Sequence, residues 1–351
     1  MHHKLPLRAV LLACALLWTA PAYAQDGGAS SLRERIKEHV EQRRAGAGKS
    51  DQTASGTAKM AALAAGVTHT LWLNHAGQQR KYLVHVPRGY DVGKPAALVV
   101  ALHGGGGAAD HMADEQNYGL ISKADREGFV VVFPNGYSRF AGGRFATWNA
   151  GGCCGDARDQ AIDDVGFVRA VVAAVQAQLN VDSAQVFAIG MSNGGMMSHR
   201  LACEAADLFR AVASVAGPDV TASCTPARPV SVLHIHAQDD DHVLFDGGAG
   251  PGAFRDPSKV MAFTSVPETM SRWAQRDQCS PAPSRVLQRA GAYCEAYARC
   301  AGGAALQLCV TELGGHSWPG AAAVRRGKSA ASTALDANDV IWDFFRASAP
   351  R

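Results

Sequence analysis

No charge of one sign dominates this chain: 34 lysines and arginines face 31 aspartates and glutamates, a formal net charge of +3. Removal of Lys4 and Arg8 with a leader would bring that to about +1. Such a balance gives no reason to expect nucleic acid or a strongly charged polymer as partner. Long apolar runs are equally scarce. Beyond the first 24 residues no segment approaches the ~20 apolar residues that a bilayer span requires, so no membrane anchor is expected. Internal repeats are missing. Cys153 and Cys154 are adjacent and so lack the spacing of zinc ligands, and no motif calls for a metal or an organic cofactor.

What is present starts with an export signal. Residues 1–24 carry Lys4 and Arg8, an apolar stretch from Ala9 to Ala20, and Ala22-Tyr23-Ala24. This is the pattern of a signal peptide cleaved before Gln25, which predicts a secreted or periplasmic protein. Of nine cysteines, Cys14 leaves with it. The remaining eight, an even number in an exported chain, argue for disulfides. Residues 25–66 read as a charged single helix near 31–44, with Leu32, Ile36 and Val40 four apart, followed by a Gly/Ala/Ser/Thr-rich linker. The catalytic domain is expected over 67–351.

The most informative stretch is Gly190-Met191-Ser192-Asn193-Gly194. It follows an apolar strand run, Gln185–Ile189, and precedes a helical run from Gly195 to Ala202. A Gly-x-Ser-x-Gly at such a junction is a nucleophile elbow, in which small neighbours permit a strained turn that lifts the serine hydroxyl above the sheet. A serine hydroxyl is a poor nucleophile at neutral pH and needs a base, an orienting acid and an oxyanion hole. Upstream, the strand run Leu98–Leu102 leads into His103-Gly104-Gly105-Gly106-Gly107. A glycine run there lets backbone N–H groups face a substrate with no side chain between them. The expected donors are the amides of Asn193 and of Gly104 or Gly105.

Strands are predicted near 68–74, 80–86, 97–102, 129–133, 185–189, 212–216, 230–236 and 306–312. Helices are predicted near 115–127, 162–179, 194–204, 266–277 and 336–346. Their alternation implies an α/β architecture: a mostly parallel sheet with helices on both faces and two antiparallel strands at its start. The strand at 230–236 runs into Asp239-Asp240-Asp241, and carboxylates at that end of a strand lie where open α/β sheets place their sites. One of the three should orient the base, and the others read as solvated loop charges. The strand at 306–312 ends in Gly314-Gly315-His316. His316, on a Gly-rich loop after a strand and last in the order Ser…Asp…His, is the expected general base. Asp163 and Asp164 open the long helix, either as N-terminal caps or as a buried hydrogen bond beneath the elbow.

These motifs together resemble the secreted polyhydroxybutyrate-depolymerase and feruloyl-esterase family of α/β-hydrolases. The resemblance rests on Leu102–Gly107, Trp148–Gly155, Asp163–Phe167, Gly190–Met197, Phe245–Gly248 and Gly315–Gly320, and covers about Thr70 to Phe345. It implies an α/β-hydrolase fold and a triad of Ser192, Asp240 and His316. The acid follows from aligning His236–Asp240 with the family's His-Gly-Thr-x-Asp, with Asp241 as the fallback. This chain departs from that pattern at Ala237, Gln238 and Leu244. The resemblance also implies that Trp148, His103 and Trp318 contact substrate, although Trp148 reads equally well as a core residue. It implies a disulfide between Cys203 and Cys224 and a further bridge among Cys279, Cys294, Cys300 and Cys309, with Cys279 and Cys300 the expected members. The implied activity is hydrolysis of a carboxylic ester without a cofactor, on polyhydroxyalkanoate-type polyester or oligomers or on feruloyl-type esters. The roughly 35 residues after His316 favour soluble esters. Another polymer, polyester or polyamide, is the alternative on the same scaffold. A metallohydrolase built from His234, His236, Asp239, Asp240 and His242 is the alternative of a different class, weakened by Gln238 in the ligand order. The oligomeric state is left open.

Overall fold

A computed structural model describes residues 63–324 and 329–349. The expectations for the leader, the charged helix and most of the linker lie outside the described residues. The described residues fall in one compact unit. Its frame is a ten-stranded sheet in the order β1-β2-β4-β3-β5-β6-β7-β10-β9-β8. The strands are β1 (Val67–His75), β2 (Gln78–Val86), β3 (Ala96–Leu102), β4 (Val130–Pro134), β5 (Val181–Met191), β6 (Ala211–Val215), β7 (Ser231–Ala237), β8 (Ser284–Arg289), β9 (Ala292–Tyr297) and β10 (Leu306–Thr311). The six central strands, from β4 through β10, pair in parallel. The margins are antiparallel: β1-β2 on one side and β9-β8 on the other.

β3 and β4 are apolar throughout, and the central strands are buried along most of their length, because both faces are covered. Successive side chains alternate between the two covers, as the two-residue strand period requires. Leu98, Val100 and Leu102 pack with Phe167, Leu201 and Trp273 on one face. Ala97, Val99 and Ala101 pack with Leu120, Trp342 and Phe345 on the other. The first face carries α4 (Asp164–Gln176), α5 (Asn193–Glu204) and α6 (Val266–Arg276), and the second carries α1 (Ala109–Met112), α2 (Leu120–Glu127) and α7 (Ala337–Ser348). A short α3 (Gly155–Asp159) lies between them in sequence.

Two differences from the expected elements have local causes. The helix expected at 115–127 starts only at Leu120, because Gly119 is left-handed (φ 62°) and ends the preceding turn. The hairpin β8-β9 was not anticipated; β8 is exposed at nearly every position and so lacks the apolar alternation that marks a strand. The cysteines pair as Cys203–Cys224, Cys279–Cys300, Cys294–Cys309 and the adjacent Cys153–Cys154. The pairs separated by 15 to 21 residues each constrain the unfolded chain by about 3 kcal/mol. Cys294–Cys309 ties β9 to β10, and Cys279–Cys300 joins the two segments that flank the hairpin. Among the described residues, no helix is long and apolar enough to cross a membrane.

Candidate active site

Ser192 stands at the end of β5 with φ 55° and ψ −121°, conformational territory that costs a serine energy and persists only when its surroundings enforce it. The surroundings do so through glycines. A Cβ on Gly190 would strike the Gly194 carbonyl oxygen, one on Gly194 the Leu102 carbonyl, and one on Gly217 the Ser192 carbonyl. The chain therefore crosses itself closely enough to turn from β5 directly into α5. Ser192 N–H donates to the Val215 carbonyl of β6 at 2.7 Å, fixing the turn against its neighbour strand.

Beside the elbow lies the glycine run after β3. A Cβ on Gly104 would come within 3.5 Å of Ser192 Cβ, so this backbone faces the serine directly. Both of its first peptides are pinned by their carbonyls. Trp148 Nε1–H donates to the His103 carbonyl at 2.9 Å. The Gly104 carbonyl accepts from Gly107 N–H at 3.0 Å and from His103 Nδ1 at 2.8 Å. His103 Nε2 accepts from Gly136 N–H at 2.9 Å, which places the ring proton on Nδ1. In a trans peptide N–H points opposite to C=O, so these bonds aim the amides of Gly104 and Gly105 away from His103 and Trp148. Both of those residues are fully buried. The expectation that they contact substrate is corrected: they sit beneath the glycine loop and orient it. Neither lines the cavity that Ser192 faces. Trp318 does line it, with its ring edge-on to Tyr118.

The Asn193 side chain is bonded to both backbone groups of Trp148, accepting at 2.8 Å and donating at 3.0 Å. Beyond Trp148, Asp164 accepts from Asn149 N–H at 2.8 Å and from the buried Arg80 at 2.7 Å. The two readings of the acidic pair thus divide. Asp163 caps α4 through Gly166 N–H, while Asp164 is the buried prop under the loop that braces the elbow.

The candidate acid and the candidate base come from neighbouring strands. β7 and β10 pair in parallel, with Thr311 opposite Ala237, so the loops that follow emerge side by side. Asp240 Oδ2 accepts from His316 Nδ1 at 2.7 Å. Asp240 Oδ1 accepts from the backbone N–H groups of His242 at 2.8 Å and Val243 at 3.0 Å. Burial alone would push this carboxyl up, but the neighbouring His316 imidazole and the bonds from His236 and His316 outweigh it and hold Asp240 far below the usual carboxylate range. His316 donates from Nδ1, which leaves Nε2 as an acceptor. Asp240 rather than Asp241 is the partner of the base; Asp241 is exposed and bonds His242 Nδ1 at 2.6 Å.

Asp239 corrects a further expectation. It is not an idle solvated charge: its carboxylate accepts from Gly315 N–H at 2.7 Å and Gly314 N–H at 3.3 Å. It ties down the loop that carries His316. His242, which the sequence offered only as a metal ligand, instead stacks its ring on His316 with centroids 4.6 Å apart. Its position two residues after the acid was the only signal available.

Ser192, His316, Gly104, Gly105 and Trp318 line one cavity of ≈ 260 Å³, with Phe254 on its wall. A narrower recess of ≈ 30 Å³, lined by Ser192, Met196 and Phe263 among others, adjoins it. The metal set suggested by the sequence is not assembled. His234 and His236 bond one another at 3.1 Å, and Asp239 turns to the glycine loop. Asp240, His242 and His316 are the grouping of ligand type among the described residues, and there Asp240 Oδ2 and His316 Nδ1 already bond each other.

Residues 80–302 match the family described as Esterase PHB depolymerase. The chain belongs to this family. Among its relatives, feruloyl esterase B of Piromyces equi is 30% identical over 68% of this chain, which spans 42% of that protein's length. The protein NocK of Nocardia uniformis subsp. tsuyamanensis is 34% identical over 74% of this chain and 79% of its own length. Among solved structures, acetyl xylan esterase from Aspergillus awamori shares the fold with a TM-score of 0.55 at 15% identity, over 80% of this chain and all of that one. As the family resemblance implied, the architecture is that of the α/β-hydrolases.

Proposed function

We propose that this protein is a serine carboxylic-ester hydrolase acting through an acyl-enzyme. The observation that carries the reading is one constellation: Ser192 in a strained strand-to-helix turn faces the same cavity as His316, and His316 Nδ1 is bound to the buried Asp240. Nε2 of His316 takes the Ser192 proton as the hydroxyl attacks the ester carbonyl. The amides of Asn193 and of Gly104 or Gly105 receive the oxyanion, Asp240 stabilises the imidazolium, and His316 returns the proton to the departing alcohol. Water then repeats the sequence on the acyl-enzyme. None of these steps needs a cofactor.

The substrate we favour is a feruloyl-type ester. The cavity wall presents Tyr118, Phe254 and Trp318, aromatic faces suited to a flat phenolic acid. Feruloyl esterases are among the relatives by sequence. Hydroxyalkanoate oligomers are the competing ester class. The leader-like residues 1–24 and the paired cysteines support action outside the cytoplasm.

The test is a substrate panel on the purified protein, with a fluorophosphonate label to mark the reactive residue. We expect label on Ser192, no turnover by Ser192→Ala, and faster release of ferulate than of 3-hydroxybutyrate from matched esters. Full activity in folded Ser192→Ala would sink the serine mechanism; the reverse substrate order would sink the feruloyl assignment alone.

A further inference from the structure

Behind the acid, on the side away from the cavity, β7 carries two buried imidazoles that the triad reading does not use. His234 and His236 are at most 1% exposed. Their nitrogens are connected in sequence. His236 Nε2 lies 2.8 Å from the Val243 carbonyl and 3.3 Å from Asp240 Oδ2. Both of those oxygens can only accept, so Nε2 carries the ring proton. His236 Nδ1 lies 3.1 Å from His234 Nε2. The proton on His236 Nε2 is dictated by the groups at the Asp240 end.

The next ring continues the pattern. His199 on α5 stacks on His234 with centroids 5.7 Å apart. Its Nδ1 accepts from the indole N–H of Trp273 on α6 at 2.9 Å, a group that can only donate, so its proton is on Nε2 as well. The charged groups facing this stack are Asp219 and Arg276, which act on His199, and Asp240 at the far end. Burial pushes His199 down to about 4 and His234 well below the ordinary histidine value. Both rings are neutral at working pH.

We propose that His236, its proton held on Nε2 by the Val243 carbonyl and the Asp240 carboxylate, is a positioning residue that supplies Asp240 with a neutral side-chain donor. The proposal rests on the assignment of Asp240 as the triad acid. The carboxylate must stay fully charged to stabilise the His316 imidazolium, yet must not rotate. Two backbone amides hold Oδ1, but Oδ2 is shared between His316 and the His236 ring alone among the bonds described here. A cationic donor in place of His236 would fix the rotamer at the cost of neutralising the charge. A neutral imidazole fixes it and leaves the charge in place, and the Val243 carbonyl keeps that imidazole from presenting its lone pair to the carboxylate.

The experiment compares His236→Phe, which removes the donor at similar ring volume, with His236→Gln, whose amide N–H reaches the same place. A hydrogen bond to a charged group contributes roughly 1.5–3 kcal/mol, so His236→Phe should lower kcat about 10- to 100-fold while KM changes less than about twofold. His236→Gln should recover most of the loss. A folded Phe variant with unaltered kcat, or a Gln variant as impaired as Phe, overturns the proposal. Imidazole 15N spectra of the unmodified enzyme decide the matter if the Phe variant fails to fold. A bare Nδ1 and protonated Nε2 on His236 support the proposal, whereas the opposite tautomer or an imidazolium at the pH optimum ends it. Asp240→Asn is run alongside: if it retains full activity, the triad assignment itself has failed, and the His236 result is not needed to show it.

Discussion

Around Ser192 the chain is shaped by what its residues leave out, whereas His316 rides on a loop tied down by what two adjacent residues supply. Gly190, Gly194 and Gly217 each bring a hydrogen where any side chain would meet a backbone oxygen. Asp239 and Asp240 bring carboxylates: one grips the amides of Gly314 and Gly315, and the other grips the imidazole. Steric exclusion gives one permitted path and no gradual failure, since a backbone oxygen cannot step aside as a flexible side chain can. Hydrogen-bonded tethers weaken by increments. The attacking atom and the proton carrier should therefore respond differently to single changes.

The largest effect should come from the acid–base side, without disturbing the elbow. Asp240→Asn keeps the shape and removes the charge, and should lower kcat by about 10⁴-fold, as an uncharged partner does in other Ser-His-Asp enzymes. Stopped-time assays with a p-nitrophenyl ester would measure it. The same variant carries a pH signature. Because the folded Asp240 carboxyl is held below its unfolded value of about 3.9, it adds stability above that value and loses it as pH falls through the folded one. Acid unfolding of Asp240→Asn should therefore be flatter below pH 4 than that of the unmodified protein.

Next comes the elbow. Gly194→Ala sets a methyl group against the Leu102 and His103 carbonyls and should cost about 3 kcal/mol or more, read as a lowered midpoint in urea together with lost activity. Retained stability would mean that the crossing can relax, and that the elbow yields by increments as the tethers do. The mildest change sharpens the tether side. Asp239→Ala frees the Gly314 and Gly315 amides, and kcat should fall about tenfold while melting temperature changes by only a few degrees. A loss as deep as that of Asp240→Asn would show that the loop has no other anchor.

The elbow was legible because Gly190 and Gly194 flank Ser192 within two positions, although Gly217 was not, and the sheet centre because Leu98–Leu102 and Val130–Phe133 are apolar without a break. Asp239 was not legible in the same way. Three consecutive aspartates are chemically identical in a sequence; the family resemblance singled out Asp240, but only the emergence of the β7 and β10 loops side by side assigns Asp239 to the amides and Asp241 to His242. His103 and Trp148 misled for a related reason. A histidine before a glycine run looks available, and only the Gly136 and Gly104 partners reveal that both ring nitrogens are committed. β8 escaped because Arg285, Gln288 and Arg289 give it the look of a solvated loop; its place at the sheet edge is held by pairing to β9 and the nearby disulfides.

At the opposite margin, the β1-β2 turn is made by Ala76 and Gly77, both left-handed, with open space around Gly77. Three strands, β2, β4 and β3, separate β1 from the strand that ends in Ser192. A tag, a fluorophore or a whole carbohydrate-binding module could be spliced in at this corner and leave the reacting groups undisturbed. That makes it the natural handle for anchoring the protein to a solid support.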